Sequence, residues 1–136
     1  KTIEVNKIIV GKNRIKELEE NLLLCFTGFA RTASDIAAEQ IKETPRKIKE
    51  LSSMAELCEE SISILSKQNS SIDEFGSLLN DQWEIKRSMT PVTSTKLIDE
   101  IYETGIKNGA IGGKLLGAGG GGFMLFFVHQ LVFLIP

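Results

Sequence analysis

The sequence predicts an α+β domain in which an antiparallel sheet is covered by helices on one face. Strand-like apolar segments lie at both ends of the chain, and apolar residues at helical three- and four-residue spacing fill the region between them. Near the C-terminal end, a run of glycines joins two apolar segments directly. The length of 136 residues fits one compact domain. Because no linker, repeat or low-complexity tract interrupts it, we expect a single domain over 1–136.

The first half of the chain is predicted to alternate between strands and helices. Alternating apolar residues indicate a strand over 3–10, and a short amphipathic helix separates it from a buried strand at 22–26. A capping-box pattern at 32–35 opens a second helix, which Thr44-Pro45 ends. The inner faces of the two helices are expected to be apolar and to consist of Ile15, Leu18 and Leu22, and of Ala33, Ile36, Ala37 and Ile41.

The second half is predicted to hold three further helices before the closing strands. Apolar spacing indicates helices over 46–67 and 72–87. Thr93 or Ser94 caps the last helix, which Asn108-Gly109 ends. The expected inner faces are Ile48, Leu51, Ala55, Cys58, Ile62 and Leu65, then Phe75, Leu79 and Trp83, then Leu97, Ile98, Ile101 and Tyr102.

A glycine-rich loop joins the two closing strands, which are predicted over 111–118 and 123–128. The second of these strands is apolar at both parities, which favours a central place in the sheet. Seven glycines lie between Gly112 and Gly122. Glycine permits positive φ, and successive N–H groups in such a loop can converge on phosphate oxygens. Neither a Walker loop nor a Rossmann fingerprint fits, because the run leads into a strand instead of a helix.

Two plainer explanations of the glycine run are disfavoured. A flexible linker would have polar flanks, whereas this loop joins apolar strands. A hairpin turn needs only two residues, so four consecutive glycines require another reason.

The segment Gly113-Lys-Leu-Leu-Gly-Ala-Gly-Gly-Gly-Gly-Phe-Met-Leu125 resembles the third signature motif of the GHMP kinases. The segments 19–28, 31–34, 82–87 and 97–102 are similar to members of that group that act on D-glycero-D-manno-heptose 7-phosphate, and to L-fucose kinases. The resemblance implies the C-terminal, ferredoxin-like domain of a kinase that phosphorylates the anomeric hydroxyl of a heptose 7-phosphate.

The resemblance also implies a phosphate-proximal role for the loop. The residues carried over are Gly117, Ala118, Gly119, Gly120 and Gly121, and no catalytic residue is assigned. ATP and Mg²⁺ would serve the parent enzyme. The Pro-x-x-x-Gly-Leu-Gly-Ser-Ser type ATP loop is absent from the sequence. We therefore expect this chain alone to bind ATP weakly and to be inactive.

Five residues are candidates for substrate binding. Arg31 lies at a helix start, where arginine and free N–H groups favour phosphate, although a solvated surface arginine is the plainer alternative. Asn80, Trp83 and Arg87 share one helical stripe, with Lys86 adjacent. For Trp83 the alternative is a core aromatic residue with solvated charged neighbours.

The expected partner is a small sugar phosphate. The net charge of −2 and the interleaved acidic and basic residues favour neither nucleic acid nor a membrane surface. His129 has no partners at ligand spacing, so no metal site is predicted. Cys25 and Cys58 form no C-x-x-C pair and lie in apolar surroundings, which favours reduced, buried thiols in a cytoplasmic protein over the disulfide that their number allows. The missing ATP loop leaves a non-catalytic small-molecule-binding domain of ferredoxin-like fold as an alternative function. The apolar segment 131–135 suggests self-association, so an oligomerisation domain is a further alternative.

Overall fold

A computed structural model describes residue 3 and residues 5–129. The predicted α+β class with an antiparallel sheet is confirmed. The elements in chain order are α1 (Lys12–Glu20), β1 (Leu22–Phe26), α2 (Ala33–Glu43), a 3₁₀ turn (Thr44–Arg46), α3 (Ile48–Ser66), α4 (Asp73–Arg87), α5 (Lys96–Lys107), β2 (Ala110–Leu115) and β3 (Phe123–Val128). Among the described residues, no helix combines the length and apolar character that a membrane crossing needs.

The sheet has the strand order β1-β3-β2, and both pairings are antiparallel. β3 is central, as its apolar composition predicts. Successive strand residues point to opposite faces. Phe126 packs in one cluster with Ile98 and Tyr102 of α5, whereas Phe127 packs in another with Leu79 of α4. Helical residues therefore bury both parities of β3, and the glycine loop leaves this well-packed strand at its N-terminal end.

Two glycines allow α4 to lie directly against β2. A Cβ built on Gly112 would overlap the carbonyl oxygen of Gly76. A Cβ on Gly76 would lie 2.7 Å from the ring of Phe127. Since neither backbone can move away without disturbing its own hydrogen bonds, only glycine fits at this crossing. The close approach fixes α4 relative to the strand that leads into the glycine loop.

The predicted strand over 3–10 is wrong for the described part of that segment. Residues 5–10 form no strand, and the side chains of Ile3 and Val5 are almost fully exposed. The strand at 22–26 is confirmed, but its predicted burial is wrong, because Leu22 and Cys25 are half-buried and the other three residues are exposed. Leu24 and Phe26 are 54% and 57% exposed, because the described helices do not pack over this part of the edge strand. For residues 3–10, the alternation of apolar side chains was not enough to predict a strand, because a strand also needs a neighbouring strand to pair with.

Some residues of the predicted inner faces are exposed in four helices. Ile15 of α1 is 43% exposed and Leu97 of α5 is 47% exposed. In α2, Ile36 is buried as expected, but Ile41 is 71% exposed. In α3, Ile48 and Cys58 are exposed, and Ile64 is the buried residue. Helical spacing identifies an apolar face but not the direction from which a neighbouring helix packs.

The helix ends can be compared with the capping and stop signals that the sequence predicted. Thr95, not Thr93 or Ser94, caps α5, because its Oγ1 accepts a hydrogen bond from the Ile98 N–H. Thr32 occupies the cap position of α2 without a side-chain hydrogen bond. Gly109 has a φ of 102° just after α5, which confirms the predicted glycine stop. The apolar stripe of α4 is also confirmed by the burial of Leu79 and Trp83.

Candidate functional site

The glycine loop, residues 116–122, connects β2 to β3. Five of its glycines have positive φ: Gly117 at 74°, Gly119 at 125°, Gly120 at 73°, Gly121 at 155° and Gly122 at 107°. Side chains with a Cβ rarely adopt such backbone conformations. The glycines are therefore required by the shape of the loop.

Neighbouring connections hold the far side of the loop through backbone hydrogen bonds. The Gly120 N–H donates to the Thr93 carbonyl oxygen at 2.9 Å, and the Gly122 N–H donates to the Phe29 carbonyl oxygen at 2.9 Å. Thr93 precedes α5 and Phe29 precedes α2, so two connections distant in sequence meet on this loop. The loop is consequently held by the rest of the fold and is not a free turn.

Two side chains hold the near side of the loop by donating to its carbonyl groups. Lys86 Nζ, at the end of α4, donates to the carbonyl oxygen of Leu115 at 3.1 Å and to that of Gly117. Gln40 Nε2, on α2, donates to the carbonyl oxygen of Ala118 at 2.8 Å. The sequence made Lys86 a candidate for substrate binding. The structure instead directs its ammonium group to the backbone of the loop.

The environment of Lys86 is unusual for a lysine. Burial, together with the positive charge of Lys114, lowers the pKa of the Lys86 ammonium group from 10.5 to about 8. Lys114 Nζ donates to Gln82 Oε1, and burial also lowers the pKa of Lys114. Two partly or fully buried lysines therefore lie at the base of the glycine loop.

Part of the loop carries backbone N–H groups without hydrogen-bond partners. Within the described part of the chain, the N–H groups of Gly117, Ala118, Gly119 and Gly121 have no hydrogen-bond partner. Gly117 is exposed, whereas Gly119 and Gly120 are buried. Unpaired N–H groups in a loop of positive-φ residues are the kind of donors that bind phosphate oxygens.

Arg31 lies against the glycine loop. A Cβ built on Gly120 would lie 3.2 Å from Arg31 Cδ and 2.9 Å from Ile36 Cδ1. The exposed Arg31 also lines a shallow cleft of about 410 Å³ with Asp35 and Val92. The structure thus brings Arg31 to the loop, although the two are about ninety residues apart in the sequence.

Asn80 and Trp83 lie away from the loop surface. Asn80 Oδ1 accepts a hydrogen bond from the hydroxyl group of Tyr102. Trp83 is 0% exposed and packs at 6.2 Å from the Tyr102 ring. A ligand cannot reach a fully buried indole in this conformation, so the core alternative describes Trp83 and the predicted substrate contact does not.

Arg87 is engaged with carboxylates and an aromatic ring. Its guanidinium group pairs with Glu84 at 2.7 Å and approaches Asp99 at 3.8 Å. It also lies 5.7 Å from the centroid of the Tyr102 ring. These contacts tie the end of α4 to α5, and a substrate phosphate would have to compete with both carboxylates for Arg87.

Residues 12–131 match the family described as GHMP kinases C terminal. The chain belongs to this family. Two relatives extend the likeness along most of the chain. A D-glycero-alpha-D-manno-heptose 7-phosphate kinase of Campylobacter jejuni is 36% identical over 90% of this chain. A bifunctional fucokinase/GDP-fucose pyrophosphorylase of Arabidopsis thaliana is 28% identical over 94% of it.

The fold is also similar to that of a GHMP-type enzyme of known structure. Mevalonate kinase of L. major, in complex with R-mevalonate, superimposes with a TM-score of 0.68 over 79% of this chain at 20% identity. This chain spans 33% of that protein, 38% of the heptose phosphate kinase and 12% of the fucokinase. The family assignment therefore concerns a domain that makes up a minor part of these longer proteins.

The contacts that shape this GHMP domain's loop include residues that sequence reasoning did not select. Gln40 gave no local signal, since an exposed-looking glutamine within a helix has no distinguishing pattern. Thr93 was considered only as a helix cap, yet it is fully buried and its carbonyl oxygen holds Gly120. Within the described ranges, no group of three or more His, Cys, Asp or Glu side chains is arranged to hold a metal ion.

Proposed function

We propose that this chain is the C-terminal part of an ATP-dependent GHMP sugar kinase that phosphorylates the anomeric hydroxyl group of a heptose 7-phosphate. The observation that carries the proposal is the glycine loop, which has unpaired N–H groups and lies against Arg31 at Gly120. The printed activity of the Campylobacter jejuni relative supports heptose 7-phosphate as the substrate.

The loop supplies what phosphoryl transfer requires of a protein. Positioning and neutralisation of phosphate charge dominate this reaction. Donors held in advance by Thr93, Phe29 and Gln40 need not reorganise when a charged group arrives. Buried Lys86 adds positive charge at the base of the loop. The loop thereby suits a place beside the phosphoryl group that is transferred.

ATP and Mg²⁺ are proposed as cofactors of the whole protein. The unpaired N–H groups of the glycine loop fit phosphate oxygens. Among the described residues, no group of three or more His, Cys, Asp or Glu side chains is arranged to hold a metal ion. When bound, Mg²⁺ would neutralise charge on the nucleotide phosphates.

Among the candidate substrate ligands, Arg31 is the one that the geometry favours. It is exposed, borders a cleft and contacts the loop. Its guanidinium group can bind the 7-phosphate or sugar hydroxyl groups in two-pronged fashion. Asn80 and Arg87 remain predictions, and each would have to exchange an existing partner for the substrate.

The test is activity of the complete reading frame that contains this chain. The purified protein is incubated with ATP, Mg²⁺ and either heptose 7-phosphate, L-fucose or mevalonate, and the products are identified by ³¹P NMR. We expect an anomeric phosphate on the heptose and slower turnover of the other two substrates. A preference for fucose would support the proposed sugar kinase activity and contradict heptose 7-phosphate as the substrate. Failure to phosphorylate either sugar would overturn the proposal.

An oligomerisation role is the second candidate, because one part of the sheet is apolar and exposed. Leu24, Phe26 and Phe123 are exposed together, and the two phenylalanine rings lie 5.2 Å apart. The apolar segment 131–135, which suggested self-association, lies outside the described residues. Light scattering of the 136-residue chain, with and without residues 131–136, tests this candidate. A monomer in both cases would contradict it.

A further inference from the structure

Lys86 is a buried cation that binds backbone carbonyl groups. The residue is 9% exposed, and its ammonium group donates to Leu115 and Gly117 at the entrance to the glycine loop. In the described part of the chain, no carboxylate pairs with it. Burying an unpaired charge is costly, so buried lysines normally have acidic partners. Here the compensation comes from the polar backbone of the loop itself.

Holding a carbonyl group also fixes the N–H group of the next residue. In a trans peptide the C=O of one residue and the N–H of the following residue lie in one plane and point in opposite directions. The peptide bonds here are all trans in the described residues. When Lys86 holds the Gly117 carbonyl, the Ala118 N–H points away from Lys86. When Gln40 holds the Ala118 carbonyl, the Gly119 N–H points away from Gln40.

Both of these N–H groups are unpaired in the described structure. The geometry points to Lys86 and Gln40 as positioning residues that aim the Ala118 and Gly119 N–H groups at a phosphate-type anion. This inference deepens the proposed function and rests on it only for the identity of the anion. Lys86 therefore acts through the backbone, without contacting the ligand.

The charge of Lys86 offers a direct way to observe this role. A protonated amine makes stronger hydrogen bonds to carbonyl oxygens than a neutral one does. Burial and the charge of Lys114 in β2 lower the pKa of Lys86 to about 8. Lys86 therefore loses its proton within a pH range in which the folded domain can be studied. Among the ionisable groups that the structure describes, Lys114 is the one whose charge shifts the pKa of Lys86.

The experiment follows the loop by NMR in the 136-residue chain between pH 6.5 and 10.5. We expect the carbonyl ¹³C resonance of Gly117 and the amide ¹⁵N resonance of Ala118 to titrate together with the ¹³Cε resonance of Lys86, with a midpoint near pH 8. Lys114→Gln should raise that midpoint, because it removes a like charge. Lys86→Arg should abolish the midpoint while keeping the loop ordered.

Lys86→Met tests positioning at neutral pH. Loss of a charge-assisted hydrogen bond should increase opening of the loop by at least about tenfold, measured by amide exchange of Gly120 and Gly122. Lys114→Met is the matched control, since Lys114 contacts Gln82 instead of the loop.

Two results would overturn the inference. One is a Lys86 titration that leaves the Gly117 and Ala118 resonances unchanged. The other is loop exchange in Lys86→Met that equals that of Lys114→Met. If Lys86→Met does not fold, the wild-type titration and Lys86→Arg still decide. None of these measurements uses ATP or sugar, so failure of the kinase proposal would be seen separately.

Discussion

The glycine loop and α4 lie side by side but are specified in different ways. α4 carries Phe75, Leu79 and Trp83 at four-residue steps, and its observed range begins one residue after the predicted start and ends where predicted. The loop takes its shape from partners far away in sequence: Gln40 lies 78 residues from Ala118 and Lys86 lies 31 residues from Gly117. A helix satisfies its own backbone, whereas an irregular buried loop depends on whatever surrounds it.

This difference predicts where substitutions act. Changes on the helix-to-strand crossing should destabilise the whole domain, because α4 and β2 share a packed backbone contact. Changes at the anchors of the loop should alter its shape and leave most of the fold intact.

The largest expected effect is that of Gly112→Ala, at the crossing of α4 and β2. The added methyl group would overlap the Gly76 carbonyl oxygen, and backbone cannot give way as a flexible side chain can. We expect a loss of about 3 kcal/mol or complete unfolding, measured by urea denaturation. Gly117→Ala is the control, because its Cβ would meet open space and cost only about 1–2 kcal/mol from its φ of 74°. Equal losses of stability in the two variants would contradict the expected difference between the crossing of α4 and β2 and the glycine loop.

Gly120→Val should lower kcat about 100-fold in the complete kinase, because misplacing the loop by about 1 Å disturbs phosphoryl transfer. A Cβ at Gly120 would press against Ile36 and Arg31, and its φ of 73° disfavours a branched side chain. Sugar affinity, measured by calorimetry, should fall as well, because Arg31 is the proposed substrate ligand. Gly119→Val crowds the Thr93 carbonyl oxygen instead of Arg31, so it should lower kcat similarly and reduce sugar affinity much less. A folded variant with near-normal kcat would show that the loop only connects β2 to β3 and does not contribute to catalysis.

The free energy of unfolding should depend on pH through Lys86, where helix and loop meet. The pKa of Lys86 is about 8 in the folded protein and 10.5 otherwise. Between these values the unfolded chain binds more protons, so stability contributed by this group rises with pH. Relative to Lys86→Met, wild type should gain up to about 1.4 kcal/mol per pH unit in that window.

Chemical denaturation at pH 7.5, 8.5 and 9.5 measures the difference. Lys96→Met, on the exposed surface of α5, is the control substitution. A constant difference between wild type and Lys86→Met would show that Lys86 is not charged and buried as described.

The smallest expected effect is that of Gln40→Ala. It removes one neutral hydrogen bond to Ala118, which is worth about 0.5–1.5 kcal/mol. Amide exchange should increase in the loop and remain unchanged in α4. Gln68→Ala, at an exposed turn, provides the comparison. Increased exchange throughout the domain would mean that loop and helix are not separable.

Much of the secondary structure could be predicted from sequence, because its signals are local. The stripe of α4, the proline after Thr44 and the glycine at 109 each act within a few residues of the element that they define. The apolar composition of β3 at both parities predicted its central place. The expectation for 3–10 failed, since a strand requires a partner that its own residues do not specify.

For the candidate site, the sequence selected the glycine loop and Arg31, which the fold brings into contact, but not the way the loop is held. A run of glycines indicates a backbone with positive φ, because glycine has no Cβ to disfavour that conformation. The fold brought Gln40, Lys86 and Thr93 to the loop, and it buried Trp83 between α4 and α5.

The sequence by itself determined that this protein has a glycine loop entering a buried strand, because steric freedom and hydropathy are properties of the residues. Only the tertiary structure decided which groups hold that loop and which N–H groups remain unpaired. Hydrogen bonds between residues tens of positions apart depend on how α2, α4 and the sheet pack together. That packing is set by contacts such as Gly76 against Gly112, which no local pattern encodes.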